Sequence, residues 1–324
     1  MTVLVTGGAG YVGSHALQLL RDSGIRCVVL DNLSRGHREL VREAQLVVGD
    51  IADPDVVTRV LREHDVDAVM HFAAYAYVGE SVQKPDIYYR NNVAGTLNVL
   101  ECMVRHGVRQ FVFSSTCATY GLPETTPIAE THPQRPVNPY GASKLMVERI
   151  LSDFAQAFGL RSVVFRYFNA AGADPRGRIG EWHEPETHLI PIALQAALGV
   201  RGAVEVFGDD YPTPDGTCIR DYIHVTDLAQ AHLLGLRHLQ SGDSSDAFNL
   251  GNASGFSVRE VITAAERVTG RKIPWKAAPR RAGDPHALVG SAVKAQQQLG
   301  WKPQFPGLET IIETAWKWHL AVGR

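Results

Sequence analysis

Tyr140 and Lys144 stand four residues apart in Asn138-Pro139-Tyr140-Gly141-Ala142-Ser143-Lys144, where a helical stretch begins. That spacing puts both side chains on one helical face. A phenol titrates near pH 10, so a tyrosine that takes a proton near neutrality must have its pKa brought down to about 7, at a cost of roughly 4 kcal/mol. A lysine ammonium beside it, together with a positively charged ring, favours the phenolate. Alone, such a pair is most often an ordinary helix surface. Thr116, ending the run Phe113-Ser114-Ser115-Thr116, adds a hydroxyl that can hold the same substrate oxygen. Gly7, Gly10 and Gly13, in Thr6-Gly7-Gly8-Ala9-Gly10-Tyr11-Val12-Gly13, add a turn suited to phosphates. Together these residues point to proton abstraction beside a bound dinucleotide.

The glycines follow a strand and open a helix, which is the place where backbone can approach a pyrophosphate and helix N–H groups can meet it. Elsewhere a glycine trio is often only a tight turn. The next strand ends at Asp31, whose carboxylate suits ribose hydroxyls and repels a 2′-phosphate, favouring NAD over NADP. The alternative for Asp31 is a surface turn cap with Asn32. Gly49-Asp50-Ile51, after a third strand, suits the adenine edge or is simply a strand-ending turn.

Placing these groups requires a sheet. Strand-like runs fall at 3–6, 27–31, 45–49, 68–72, 111–115 and 162–167, and helical stretches at 15–23, 56–64, 88–106 and 144–158. Apolar strands alternating with helices predict an α/β fold with a doubly wound parallel sheet covered on both faces. After Asn169 the pattern loosens. Loop-like Gly, Pro and Asp dominate 170–185 and 208–216, followed by further helices at 189–198, 257–269 and 308–320. Ser257 and Glu260 have capping-box spacing.

Thirty-four acidic against 32 basic side chains, with no basic block, argue against nucleic acid. Scattered Cys27, Cys102, Cys117 and Cys218, without metal-ligand spacing, imply no metal and a reduced, cytoplasmic protein. No apolar run is long enough to span a membrane, and no leader precedes the first strand, so no membrane association is expected.

Taken in order, these motifs resemble the extended short-chain dehydrogenase/reductase family, in particular its nucleotide-sugar 4-epimerases, along essentially the whole chain. The resemblance also rests on His71-Phe72-Ala73-Ala74, Val78-Gly79-Glu80-Ser81, Tyr88-Tyr89-Arg90-Asn91-Asn92, Arg166-Tyr167-Phe168-Asn169, Gly216-Thr217-Cys218-Ile219-Arg220-Asp221-Tyr222-Ile223-His224-Val225 and Ala278-Pro279-Arg280-Arg281-Ala282-Gly283-Asp284. It implies a Rossmann NAD-binding domain over 1–170 and a smaller C-terminal α/β substrate-binding lobe over 171–324, with a segment near 220–250 returning to the first domain. It implies NAD contacts from Gly7, Gly10, Tyr11, Val12, Gly13, Asp31, Asn32, Asp50, Ile51, Phe72, Ala73, Ala74, Asn91, Tyr140, Lys144 and Phe168.

The resemblance makes Tyr140 the acid/base, tuned by Lys144, with Thr116 on the sugar. The expected substrate is a UDP-sugar, UDP-galactose or UDP-glucose, epimerised at C4 through a 4-keto intermediate; N-acetylated or pentose UDP-sugars are further candidates. Asn169 and Leu189 would line its site, Phe207 would flank the uracil, Arg220 and Arg281 would meet the diphosphate, and Asp284 the uridine ribose. Guanidinium forks suit phosphate oxygens; without the resemblance each arginine reads as a surface ion pair. Leu288 would wall the sugar C2 substituent. A homodimer through 88–106 and 144–158 is implied, although packing on the sheet explains those apolar stripes equally.

Three positions depart from relatives. Thr116 stands where many relatives have serine but keeps the hydroxyl, Ala76 where some carry a cofactor-proximal lysine, and His188 where some have asparagine. His188 can hydrogen-bond the substrate or be structural, and the sequence offers it no ligand partners nearby for a metal. A 4,6-dehydratase needs an acid and a base after the strand-end hydroxyl, where this chain has Cys117 and Ala118. A non-catalytic NAD-responsive binder has no need of the Tyr140–Lys144 pair.

Overall fold

The computed structural model describes residues 1–281 and 284–323. Ala282 and Gly283 of the arginine-bearing motif lie outside the described residues. The β-branched runs form β1 (Thr2–Thr6), β2 (Arg26–Asp31), β3 (Gln45–Val48), β4 (Ala68–His71), β5 (Gln110–Thr116) and β6 (Arg161–Tyr167). Shorter strands follow: β7 (Asn169–Ala171), β8 (Val204–Phe207), β9 (Ile219–Arg220), β10 (Tyr222–His224) and β11 (Asp246–Leu250). The main sheet runs β11-β6-β5-β4-β1-β2-β3, and every neighbouring pair is parallel.

Successive side chains of a strand face opposite ways, and the two cores follow that alternation. Val3, Val5 and Val29 join Leu17 and Leu20 of the helix Tyr11–Asp22 and Leu228, Leu236 and Leu239 of the helix Val225–Gln240. Leu4, Val28 and Leu30 join the other face, with Val57 and Leu61, Leu100 and Met103, and Val147 and Leu151 from three further helices. Each such side chain contributes roughly 1.5–3 kcal/mol by leaving water. The chain moves outward from β1 to β3 and then crosses back to β4. The sheet order therefore reverses between β1 and β4, which opens a crevice at their carboxyl ends.

Two segments depart from the sequence reading. The stretch 88–106, expected as one helix, breaks into a helical turn Pro85–Tyr88, a π-helical segment Tyr89–Gly95 and an α-helix Thr96–Arg105. The buried Asn92 amide sits at the break: its Oδ1 accepts from the Tyr75 N–H at 2.9 Å, and its Nδ2 donates to the Tyr75 carbonyl at 3.0 Å and the Ser143 hydroxyl at 3.1 Å. A π segment commonly marks a functional position. The helix Val225–Gln240, which the sequence reading did not name, packs on the first helix beneath the sheet.

The remaining strands are β12 (Phe256–Ser257), β13 (Trp275–Ala278) and β14 (Ala287–Leu288). They build small sheets, β12-β9-β14 and β13-β8, beside a separate apolar core of the helices Leu189–Leu198, Val258–Thr269 and Leu308–Val322. The capping box forms as read: Glu260 N–H donates to Ser257 Oγ at 3.1 Å, and Ser257 N–H donates to Glu260 Oε2 at 2.7 Å. Among the described residues no helix is long and apolar enough to cross a membrane.

Candidate active site

The glycine turn is held by contacts that no side chain would allow. Gly7 has φ +72°, and a Cβ there would lie 2.4 Å from the Ala73 nitrogen; one on Gly13 would lie 2.3 Å from the Gly7 carbonyl oxygen. Gly7 closes the turn against the backbone that follows β4, and Gly13 lets the first turn of the helix pack on Gly7 and Gly8. Gly10 is the N-cap of the helix Tyr11–Asp22 and makes no side-chain cap bond. The first N–H groups of that helix are thus left for a ligand's acceptors, with the positive end of the helix dipole behind them. Asp31 is buried, and its two oxygens accept from Ala9 N–H at 3.0 Å and Leu33 N–H at 2.8 Å. Burial pushes its carboxyl up from the ordinary value, and these bonds pull the other way. It therefore does cap turns, and each oxygen retains a lone pair for a ribose hydroxyl. Uncapped N–H groups above a strand-end carboxylate fit the pyrophosphate and ribose of NAD.

The helix Pro139–Phe158 starts where Asn138 Oδ1 accepts from Gly141 N–H at 2.8 Å with proline at its first position, and ends at Gly159 in the left-handed conformation. Asparagine caps and N-terminal proline are the expected start signals. This start brings Tyr140 and Lys144 over the end of β5. Lys144 Nζ donates to the Ser114 carbonyl at 2.8 Å and lies 4.8 Å from the Phe113 ring centroid. Burial lowers its pKa to about 7, with Glu148 opposing. For Tyr140 the chain's own groups act in the other direction. Burial raises its pKa above that of an ordinary phenol, the Tyr167 hydroxyl raises it further, and a hydrogen bond with Thr116 opposes both. Without added positive charge the phenol keeps its proton near neutrality, because the buried lysine is itself reluctant to stay charged.

In the second lobe Arg220 Nη1 donates to the carbonyls of Ile219 and Pro285 at 2.8 and 2.9 Å, and its Nη2 lies 3.2 Å from Asp284 Oδ1. The Arg281 guanidinium stacks 3.9 Å above the Phe207 ring centroid. Leu288 pairs in register with Arg220 across β14 and β9. Asn169 is tied to the Asp221 carbonyl through its backbone N–H at 3.0 Å and Nδ2 at 2.8 Å.

One continuous cleft of about 1580 Å³ joins these groups. Its lining includes every predicted cofactor and substrate residue except Asp50, which instead accepts from Asn32 Nδ2 at 2.8 Å. That volume exceeds an ordinary small-molecule site and suits two ligands end to end. The lining also contains residues that the sequence reading missed. Arg35 bridges to Glu80 at 2.8 Å and lies over the rings of Tyr75 and Tyr77, and Tyr167 bonds the Ser114 hydroxyl at 2.5 Å. Neither falls in a spacing that signals chemistry. Buried behind β5, Glu148 accepts from Ser115 Oγ at 2.5 Å and from Arg166 at 2.6 Å.

His188 needs a correction. Far from lacking ligand partners, its Nδ1 lies 2.8 Å from Glu181 Oε1 and 3.1 Å from Glu186 Oε1, with His183 against the same two carboxylates. The loop from β7 folds back on itself, its first half closed by Arg178 on Asp174 at 2.7 Å, so residues several positions apart meet. The spacing Glu-x-His-x-x-Glu-x-His, from 181 to 188, is the signal that could have found them.

A profile of the NAD dependent epimerase/dehydratase family matches residues 3–251. The chain is 55% identical over 322 residues to a protein from Streptococcus mutans serotype c named UDP-glucose 4-epimerase, covering 98% of this chain and 97% of that one. Two solved structures are similar along their whole length. A UDP-glucose 4-epimerase from Brucella ovis in complex with NAD superposes with a TM-score of 0.95 at 51% identity, covering 97% of each chain. One from Bifidobacterium longum in complex with NAD+ and UDP gives 0.93 at 38%, covering 99% of this chain and 98% of that one.

Proposed function

This chain belongs to the NAD dependent epimerase/dehydratase family, and from that premise we propose that it interconverts UDP-galactose and UDP-glucose by NAD-dependent epimerisation at C4. The observation that carries the reading is the cleft itself, with the glycine turn and Asp31 at one end, Tyr140, Lys144 and Thr116 in its lining, and Arg220, Arg281 and Phe207 on the lobe beyond. We assign NAD to the domain over 1–170 and the UDP-sugar to the lobe over 171–324.

NAD, when bound, supplies a two-electron acceptor and donor for C4 and adds positive charge beside Tyr140. Tyr140 takes the proton of the sugar 4-hydroxyl, and Thr116 holds the same oxygen. Lys144, fixed on the Ser114 carbonyl, favours the phenolate once that charge has entered. Arg220 and Arg281 anchor the diphosphate while the hexose stays loosely held, so that the 4-keto sugar can present its other face. Tyr140 then returns the proton. Elimination is disfavoured because Cys117 and Ala118 follow Thr116 in the lining, where that reaction needs an acid and a base.

Exposed Met146 and Phe158 on the helix Pro139–Phe158 favour a homodimer that uses this helix, and four free cysteines suit a reducing cytoplasm. Light scattering tests the first. Incubating purified protein with UDP-galactose, resolving the products and assaying nucleotide released on denaturation tests the activity. UDP-glucose as product with bound NAD supports the reading; accumulation of a 4-keto-6-deoxy sugar, or no turnover, overturns it.

A further inference from the structure

Glu181, His183, Glu186 and His188 lie in the loop between β7 and the helix Leu189–Leu198. Each offers one ligand atom, and the four atoms lie within 4.8 Å of one another. Glu181 Oε1 lies 2.8 and 3.1 Å from the Nδ1 atoms of His188 and His183, and Glu186 approaches the same rings through Oε1 at 3.1 Å and Oε2 at 3.7 Å. A tetrahedral zinc ion with bonds of about 2.0–2.1 Å places its donors roughly 3.3–3.4 Å apart, within that spread. The Glu181 and Glu186 side chains are only 4% and 6% exposed, so two carboxylates are concentrated at the edge of the cleft beside His183 and His188, which are 17% and 43% exposed. Two imidazolium rings, or one divalent cation with two neutral imidazoles, balance them. Two imidazoles with two carboxylates are a donor set for a borderline metal such as zinc, whereas magnesium and calcium take oxygen alone.

We propose that these four residues form a zinc site. Four protein ligands fill a tetrahedral shell, so the ion is structural and does not polarise the sugar. The His183 ring packs edge-on to Tyr11 at 5.9 Å, and the Tyr11 hydroxyl donates to the Gly172 carbonyl at 2.6 Å. His188 directly precedes Leu189, which lines the cleft. The ion thus ties the loop between the helix that starts at the glycine turn and the wall of the substrate cavity. The site does not depend on which sugar the enzyme turns over.

The test uses tag-free holoenzyme, stripped with a chelator and refilled with Zn2+ or with Co2+ alone. After desalting, the zinc form should retain about one ion per chain and melt at a higher temperature than the stripped form. The cobalt form should give the intense visible bands of tetrahedral coordination. His183→Gln and Glu186→Gln should each lose those bands while circular dichroism stays that of a folded chain. Wild-type protein that retains no zinc overturns the proposal, as do weak six-coordinate cobalt bands or bands unchanged in both variants. The wild-type measurements decide the matter even where a variant fails to fold.

Discussion

Arg220 and Asp284 form an ion pair in the cleft lining, 3.2 Å between Nη2 and Oδ1, and Leu288 lies in register beside that arginine. Two backbone carbonyls hold the Arg220 guanidinium independently of Asp284. Arg220→Ala should therefore weaken UDP binding by about 2–5 kcal/mol, the range for stripping a buried charge partner. Asp284→Asn should cost less, since the carbonyls still aim the guanidinium. Calorimetry with UDP measures both; equal losses would assign the positioning of Arg220 to Asp284.

Tyr140→Phe should lower turnover at least about 10²–10⁴-fold, as expected for a general acid–base group, with NAD content unchanged. Thr116→Ser should be mild and Thr116→Val severe, because the hydroxyl is the working part. Burial raises the Tyr140 pKa in the chain alone. Spectroscopic titration of cofactor-stripped enzyme should accordingly find no phenolate near neutrality, while NAD-loaded enzyme should titrate lower. Identical titrations would separate the cofactor's charge from the base.

Six strands of the main sheet were legible because each is a short apolar run between turn residues, whereas β11 was foreseen only as a segment near 220–250 returning to the first domain. The Tyr140–Lys144 pair was legible because its spacing fits one helical period. Asn92 was not: nothing in Asn91-Asn92 says that a side-chain amide will clamp the Tyr75 backbone and open a π segment. Arg35 and Tyr167 reach the cleft through tertiary placement. Glu181 and His183 were missed for a different reason, since the loop carrying them has no period to follow. His188 was seen as a site residue, but its neighbours were not.

Leu288 lines the cleft, and if it walls the sugar C2 substituent as proposed, its branched aliphatic side chain leaves partial room there. UDP-galactose and UDP-glucose should be the better pair, with weaker turnover of N-acetylated sugars. Leu288→Tyr should abolish the N-acetyl activity and largely spare UDP-galactose. If steady-state assays find both activities falling together, or neither changing, Leu288 is not a gate.

Buried histidines make the fold acid-sensitive. Burial lowers the pKa of His71 and His224 to about 3, and of His15 and His232 to about 4. His71 is held neutral between the hydroxyls of Thr6 and Thr96, at 2.8 and 2.9 Å. Each folded pKa lies below the unfolded value near 6.5, so unfolding takes up protons between them. Their contribution to stability should hold above pH 6.5 and fall as pH drops below it, by about 2 kcal/mol per histidine at pH 5. Asp221, raised to about 6 by burial, works in the opposite direction. So do His183 and His188, which Glu181 and Glu186 raise to about 9 and 10 against their burial and whose contribution is lost as pH rises above 6.5. Denaturant unfolding at pH 7 and pH 5 measures the balance; stability unchanged or higher at pH 5 would show that the rings of His15, His71, His224 and His232 are not neutral in the fold.

Retention of label at C4 tests the central claim most directly. UDP-galactose carrying deuterium at C4 is converted in ordinary water, and the product is read by mass spectrometry and NMR. If the hydrogen leaves C4 and returns to the same carbon from the cofactor held in the cleft, UDP-glucose keeps its deuterium at C4 and gains none from solvent. Deuterium lost to water, or a C4 hydrogen drawn from it, would contradict epimerisation through a 4-keto sugar on retained NAD.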